Sequence, residues 1–263
     1  MYIMEGPSEG IRLEMKTSAI ETERQLTQIG LQAGMHALDA GCGTGAVSRV
    51  MSRMVGDGGQ VIGVDSSSER LALGREFAQR EHCSNLSFVQ ADLSEGPVAE
   101  SRFDLVWSRF VFEYLTEPQV VLKNLISSTK TGGKIVVGDL DGNGQFHYPM
   151  STRLEHGLGL LLNELSGHFD PFVGRKLFHM FRRESLGDIR VHVLPYHLYS
   201  GKAPPEELEN WRTKLETLRP IGTAALGGTN EYSSWANEFL SHLADPDTFT
   251  YSILIIAEGV RLT

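Results

Sequence analysis

Asp39 is followed by glycine at every second position, Gly41, Gly43 and Gly45, and this is the densest cluster of chemically suggestive residues in the chain. An apolar run, Met35 to Leu38, leads into the acid. Behind the glycines, Val47, Val50, Met51, Met54 and Val55 recur at the spacing of one buried helical stripe. A strand that turns sharply into a helix exposes the helix's first unpaired N–H groups and its positive dipole end. Glycines remove the side chains that would keep a ligand off that backbone. The turn is therefore suited to a nucleoside or an anionic group. Gly41, Gly43 and Ala46 satisfy the G-x-G-x-x-G/A pattern of dinucleotide sites, and Asp65 follows at about the distance of their ribose acid. That pattern does not require Asp39. A carboxylate there would repel a pyrophosphate but would suit a cofactor carrying positive charge.

The elements that must position these groups alternate regularly. Strand-like runs fall at Gln60–Asp65, Leu86–Asp92, Phe103–Ser108 and Gly132–Leu140. Helical patterns cover Ser66–His82 and the stretch after Pro118. Such alternation means a parallel sheet covered on both faces, a doubly wound α/β arrangement with ligands outside the carboxyl ends of the strands. Asp39, Asp65, Asp92, Ser108 and Asp139 all fall at those ends.

Before the first strand, Ile11–Ile29 reads as one helix capped by Gly30. After Leu140 the regularity stops. Asp141–Pro149 has loop composition. Helices are expected at Ser151–Gly167, Gly174–Leu186, Pro204–Leu218 and Glu231–Leu243, with a flexible run Arg219–Asn230 between the last two. Strands are expected at Ile189–Leu198 and Phe249–Gly259.

The run D-x-G-x-G-x-G, Asp39 to Gly45, resembles that of the class I S-adenosylmethionine-dependent methyltransferases, and the likeness covers Leu31–Leu140. The resemblance implies a Rossmann-like, seven-stranded, mostly parallel sheet with an antiparallel last strand and helical insertions. It implies an N-terminal helical lid over 1–30 and a cofactor core over 31–140. The remainder, 141–263, would be the other half of the sheet with substrate-site insertions, all in one structural domain. S-adenosylmethionine is the implied cofactor, with S-adenosylhomocysteine as its product. Asp39 would then lie near the ammonium and sulfonium end, with Gly41 and Gly43 giving backbone approach and Gly45 close helix–strand packing. Asp65 would hold the ribose hydroxyls, flanked by Ser66 and Arg70. Asp92 and Leu93 would meet the adenine, and Ser108 and Arg109 the methionine part, with Phe110 and Glu113 also near cofactor or substrate. Tyr2, Arg12 and Met15 are candidates for lid contacts.

A proton acceptor is needed only for a hydroxyl or ammonium nucleophile, and histidine suits that role near neutral pH. His147 and Tyr148, directly after the fifth strand, are the candidate catalytic pair; His156, His168, His179 and His197 lie further on. Phe146, Tyr148, Phe169, Phe172, Phe178 and Phe181 are candidates for an aromatic-friendly pocket, or for core. Two cysteines, Cys42 and Cys83, provide neither a disulfide framework nor metal spacing, so no metal site is expected. Cys42 reads as a small filler in the turn.

A net charge of −9 argues against a broad nucleic-acid surface and favours a small-molecule acceptor. The absence of a signal-peptide pattern and of an 18-residue apolar run leads to the expectation of a cytoplasmic protein without membrane contact. The long insertions could also serve a homodimer interface. Two rival readings remain at this stage. One is an NAD-dependent oxidoreductase, against which Asp39 counts. The other is a protein that binds the cofactor without turnover.

Overall fold

The computed structural model describes residues 9–184 and 186–263. Its centre is a seven-stranded sheet in the order β3-β2-β1-β4-β5-β7-β6. The strands are β1 (His36–Ala40), β2 (Gln60–Asp65), β3 (Leu86–Gln90), β4 (Phe103–Arg109), β5 (Thr129–Tyr148), β6 (Leu186–Ser200) and β7 (Phe249–Arg261). The first five pair in parallel, and β7 runs antiparallel to both β5 and β6.

Alternate strand residues enter opposite faces, as the period of two requires. Ala37, Val61, Leu105 and Trp107 pack with Leu26 and Ile29 and with Val50, Met51 and Val55. Those partners come from α2 (Ala19–Gln28), its C-cap Ile29, and α3 (Ala46–Val55). Leu38, Ile62, Val64 and Val106 pack instead with Val121, Leu122 and Leu125 of α5 (Pro118–Ser128) and with Leu177 and Phe181 of α7 (Leu177–Arg182). The helix α4 (Ser68–Arg80) follows β2, with Ser67 as its N-cap.

Four further helices, α6 (Thr152–Leu165), α8 (Pro205–Thr217), α9 (Arg219–Leu226) and α10 (Thr229–Leu243), share a separate aromatic core around Trp211, Tyr232, Trp235 and Phe239. Among the described residues no helix is long and apolar enough to cross a membrane.

Several local expectations are corrected. The N-terminal helix is two, α1 (Glu9–Lys16) and α2, because the Ser18 hydroxyl caps a new start by accepting from Glu21 N–H. The predicted loop after Leu140 is a continuation of β5. Beyond a register shift between Asp141 and Phe146, Phe146, His147 and Tyr148 pair with Tyr251, Thr250 and Phe249. The predicted helix Gly174–Leu186 is shorter: a 3-10 turn (Gly174–Lys176) leads into α7, and Leu186 already begins β6. The run expected to be flexible, Arg219–Asn230, holds α9, where Gly222 lies so close to the Tyr232 ring that a Cβ would sit 2.0 Å from it.

Candidate active site

A cavity of about 340 Å³ opens at the carboxyl ends of β1, β2 and β4. The glycine turn forms its floor. Gly41 and Gly43 both have φ in the left-handed region, +76° and +57°, which glycine adopts without the steric cost of a Cβ. Gly45 presses on Phe88, where a Cβ would come within 2.5 Å, so it seats α3 against the sheet rather than lining the cavity.

Asp65, at the end of β2, ties the turn together. Its Oδ2 accepts the Gly43 N–H at 2.8 Å, and its Oδ1 accepts from Ser67 N at 3.0 Å and Arg70 Nη2 at 2.9 Å. Asp39, at the end of β1, is 3% exposed and accepts the Ser48 hydroxyl at 2.5 Å. Burial pushes its carboxyl up to about 6, against the opposing effects of Ser48 and the Arg109 guanidinium. Burial pushes the Cys42 thiol up as well, with Asp39 and Asp65 adding to the effect, so it stays protonated and is no nucleophile.

Arg109 leaves the end of β4 toward the same space. Its Nη1 donates to Gln25 Oε1 at 2.9 Å, and its guanidinium lies over the Phe110 ring at 5.1 Å. Burial lowers its pKa, while Tyr196 and Asp39 support the charge. Phe110 itself holds φ +60°, a strained conformation for a bulky residue of the kind that recurs at functional sites. Asp92 is exposed, and the Ser94 hydroxyl and N–H hold its carboxyl below the usual range.

Asp39, Gly41, Gly43, Asp65, Ser66, Arg70, Asp92, Leu93 and Arg109 thus all line one cavity. Ser108 does not. It is fully buried, and its hydroxyl has no partner among the described residues. Successive strand side chains point to opposite faces, so a chain that directs Trp107 and Arg109 into the cavity must direct Ser108 away. Arg12 is also outside the lining and donates instead to Asn210 at 3.1 Å. Tyr2 and the side chain of Met15 lie outside the described residues.

Sequence reasoning passed over Leu13 and Thr17, which close the cavity from the N-terminal side. The segment carrying them is fastened by Glu14, which pairs with Arg49 and accepts the Thr44 hydroxyl. It also missed Trp107 and Tyr114, although strand alternation through Arg109 marks Trp107.

His147 and Tyr148 do not reach this cavity. His147 Nδ1 meets Thr250 Oγ1 at 2.9 Å, its Nε2 meets the Gly144 carbonyl at 3.2 Å, and its ring packs on Phe239 and His242. Burial lowers its pKa to about 4. Tyr148 is 76% exposed. Neither is placed to act as a base at the glycine turn.

A second, smaller cavity of about 90 Å³ adjoins the first, and Tyr114 lines both. It lies between α6, α8 and α10 and the segment Asn143–Gln145 of β5. Of the aromatic candidates only Phe169 lines it; Phe146 stacks on Tyr251, Phe172 meets Phe146, Phe178 is half exposed and Phe181 is core.

Comparisons with known proteins address the family and the fold. A methyltransferase-domain family model matches residues 31–166. The demethylmenaquinone methyltransferase of Shouchella clausii is 37% identical over 111 residues, which is 42% of this chain and 47% of that protein. The chain thus spans about half the length of the curated relatives it matches. The YcgJ protein from Bacillus subtilis superposes with a TM-score of 0.62 at 18% identity, covering 93% of this chain and 99% of that one. Phosphoethanolamine N-methyltransferase 2 of Haemonchus contortus, solved with phosphomonomethylethanolamine and S-adenosylhomocysteine, gives a TM-score of 0.59 at 19% identity, over 93% of this chain and 53% of that one. These two solved structures share its fold. The chain belongs to the methyltransferase-domain family, within the class I S-adenosylmethionine-dependent methyltransferases.

Proposed function

We propose that this chain transfers a methyl group from S-adenosylmethionine to a small-molecule acceptor. The observation that carries the reading is the convergence of two carboxylates, Asp39 and Asp65, on a glycine turn with open backbone in one cavity of about 340 Å³. That donor set fits a nucleoside with a cationic tail. When bound, the cofactor supplies a methyl group already activated on a sulfonium centre.

The remaining work falls to the chain. Asp65, fixed by Gly43 N–H, Ser67 N–H and Arg70, presents the remaining lone pair of its Oδ2 to the ribose. Asp92 keeps one oxygen on Ser94 and offers the other to the exocyclic amine of adenine. Asp39, held by Ser48, faces the cationic end, and Arg109 is the cation available to a carboxylate of the amino-acid tail. Leu13 and Thr17 exclude water from above. On this reading 1–30 serves as the lid, 31–140 holds the cofactor, and 141–263 shapes the acceptor side.

Calorimetric titration with S-adenosylhomocysteine and with NADH, on wild type and Asp65→Ala, tests this reading. S-adenosylhomocysteine should bind in the micromolar range, and the variant should lose about 100-fold in affinity. Binding of NADH in its place would overturn the reading.

A further inference from the structure

We propose that the second cavity seats the body of the acceptor, and that this acceptor is an apolar, ring-bearing molecule with a hydroxyl directed at Asn143. The assignment rests on the methyltransferase reading above and names the substrate class for it.

Position comes first. Tyr114 forms a wall of both cavities, so a molecule in the smaller one adjoins the cofactor side without crossing the sheet. The chemistry of the walls comes second. Leu158, Leu161 and Leu162 from α6 face Phe169, Trp211 and Phe239 across the space. A cavity of that composition rewards an apolar body of ring dimensions and nothing charged over most of its length.

The polar groups gather on one side. Where β5 shifts register between Asp141 and Phe146, the chain bulges away from the β7 ladder, and the Gly142 and Asn143 N–H groups donate to the Pro171 carbonyl. Such bulges re-aim side chains. This one brings Asn143 and Gln145 to the cavity, while Gly144 passes close to Trp211, where a Cβ would sit 3.1 Å from the indole.

Asn143 is held in one orientation. Its Nδ2 donates to Glu113 Oε2 at 2.9 Å. Glu113 is 3% exposed; its N–H donates to Asp139 Oδ2 at 3.1 Å, and its carbonyl accepts from Asp170 N at 2.7 Å. One amide N–H goes to the carboxylate, which fixes the amide plane, and the Asn143 Oδ1, which makes no hydrogen bond among the described residues, is available to a ligand as an acceptor. An acceptor oxygen so fixed selects a donor, either a hydroxyl or an amine. Lys214 also lines the cavity, with its Nζ 4.2 Å from the Trp211 ring centre. The Glu113 carboxylate and the Lys214 ammonium offset each other at this corner, and the apolar walls disfavour a charged ammonium ligand, which leaves a neutral hydroxyl as the donor.

The test uses 4-ethylphenol and ethylbenzene as probes, titrated by tryptophan fluorescence and calorimetry against the whole chain, with and without saturating S-adenosylhomocysteine. 4-Ethylphenol should bind at least about tenfold more tightly than ethylbenzene. Asn143→Leu should erase that preference while leaving ethylbenzene unchanged. Leu162→Trp, or Leu158→Trp should the first fail to fold, should weaken both probes about tenfold or more by filling the space. The affinity for S-adenosylhomocysteine should stay within about twofold in all three variants. Equal affinities for the two probes on wild type would overturn the hydroxyl assignment. Binding that neither tryptophan variant weakens, or no probe binding beside intact S-adenosylhomocysteine binding, would overturn the cavity assignment alone. If the phenol is seated and S-adenosylhomocysteine is not bound, the methyltransferase reading fails and the acceptor role falls with it.

Discussion

The cavity at the ends of β1 and β2 sets glycine backbone and three carboxylates among apolar walls such as Trp107, Phe110 and Leu115, whereas its neighbour beyond Tyr114 is almost wholly leucines and aromatic rings with a polar corner. On the proposed reading the difference follows from what each would hold. A charged ligand with many donors and acceptors needs partners at fixed positions, and only strand ends and helix N-termini give the backbone that precision. An apolar ring needs volume, and volume can be enclosed by side chains from segments far apart in sequence. The first cavity is therefore tied to the central sheet, while the second depends on how α6, α8 and α10 pack.

That division can be broken most forcefully at Trp235. It is 2% exposed, stacks on Phe239 with ring centres 5.4 Å apart, and donates to the Leu154 carbonyl at 3.3 Å. Trp235→Ala should cost about 3–5 kcal/mol in the helical region. Hydrogen exchange should show α6 and α10 losing protection while β1, β2 and β4 keep theirs. S-adenosylhomocysteine affinity should stay within about twofold; a parallel loss there would mean that the two regions fold and bind as one unit.

A finer contrast lies in the pH dependence of stability, where the two regions should act with opposite sign. Asp39 has a folded pKa raised from 3.8 to about 6, so its contribution is present below 3.8 and is lost as pH rises through 6. His147 has a folded pKa lowered from 6.5 to about 4, so its contribution is present above 6.5 and is lost as pH falls through 4. Each is worth about 3 kcal/mol, and across pH 4–6 they oppose. In urea unfolding, Asp39→Asn should therefore lose stability steeply on acidification, whereas His147→Asn should become more stable relative to wild type. Identical slopes in the two variants would remove the contrast.

The smallest expected effect sharpens the role of the N-terminal segment. Glu14→Ala removes the pairing with Arg49 and the acceptor for Thr44, so α1 loses its fastening to the glycine turn. S-adenosylhomocysteine should dissociate about tenfold faster, with 4-ethylphenol affinity unchanged; rapid-mixing fluorescence would measure both.

How much was legible in the sequence tracks the same division. The first five strands, the acids at their ends and the glycine turn announce themselves because local alternation and special backbone leave marks in residue type. Ser108 is placed at the methionine part only by the resemblance; with Arg109 directed to the cavity, the period of two sends Ser108 to the other face. The extension of β5 was hidden because Asp141–Pro149 has loop composition. What makes it strand is pairing with Phe249, Thr250 and Tyr251, more than a hundred residues away. The same holds for α9, whose Gly222 looks like a hinge in sequence and is in fact the contact point for Tyr232. His147 stood near the right edge in sequence, but a strand continuing past the sheet's working end carried it into the helical region. The second cavity left no mark, since leucines at helical spacing read the same whether they meet another helix or enclose a space.

Tyr114 sits on a single 3-10 turn, Phe112–Tyr114, whose middle residue is pinned to Asp139, and its ring lies 5.5 Å from that of Phe169. As a wall of both compartments, it cannot be displaced by one occupant without altering the space left for the other. Linkage makes that influence mutual: whatever factor the first guest imposes on the second, the second returns to the first. On the proposed reading the shared wall makes the chain a conjunction detector, in which each occupancy reports on the other.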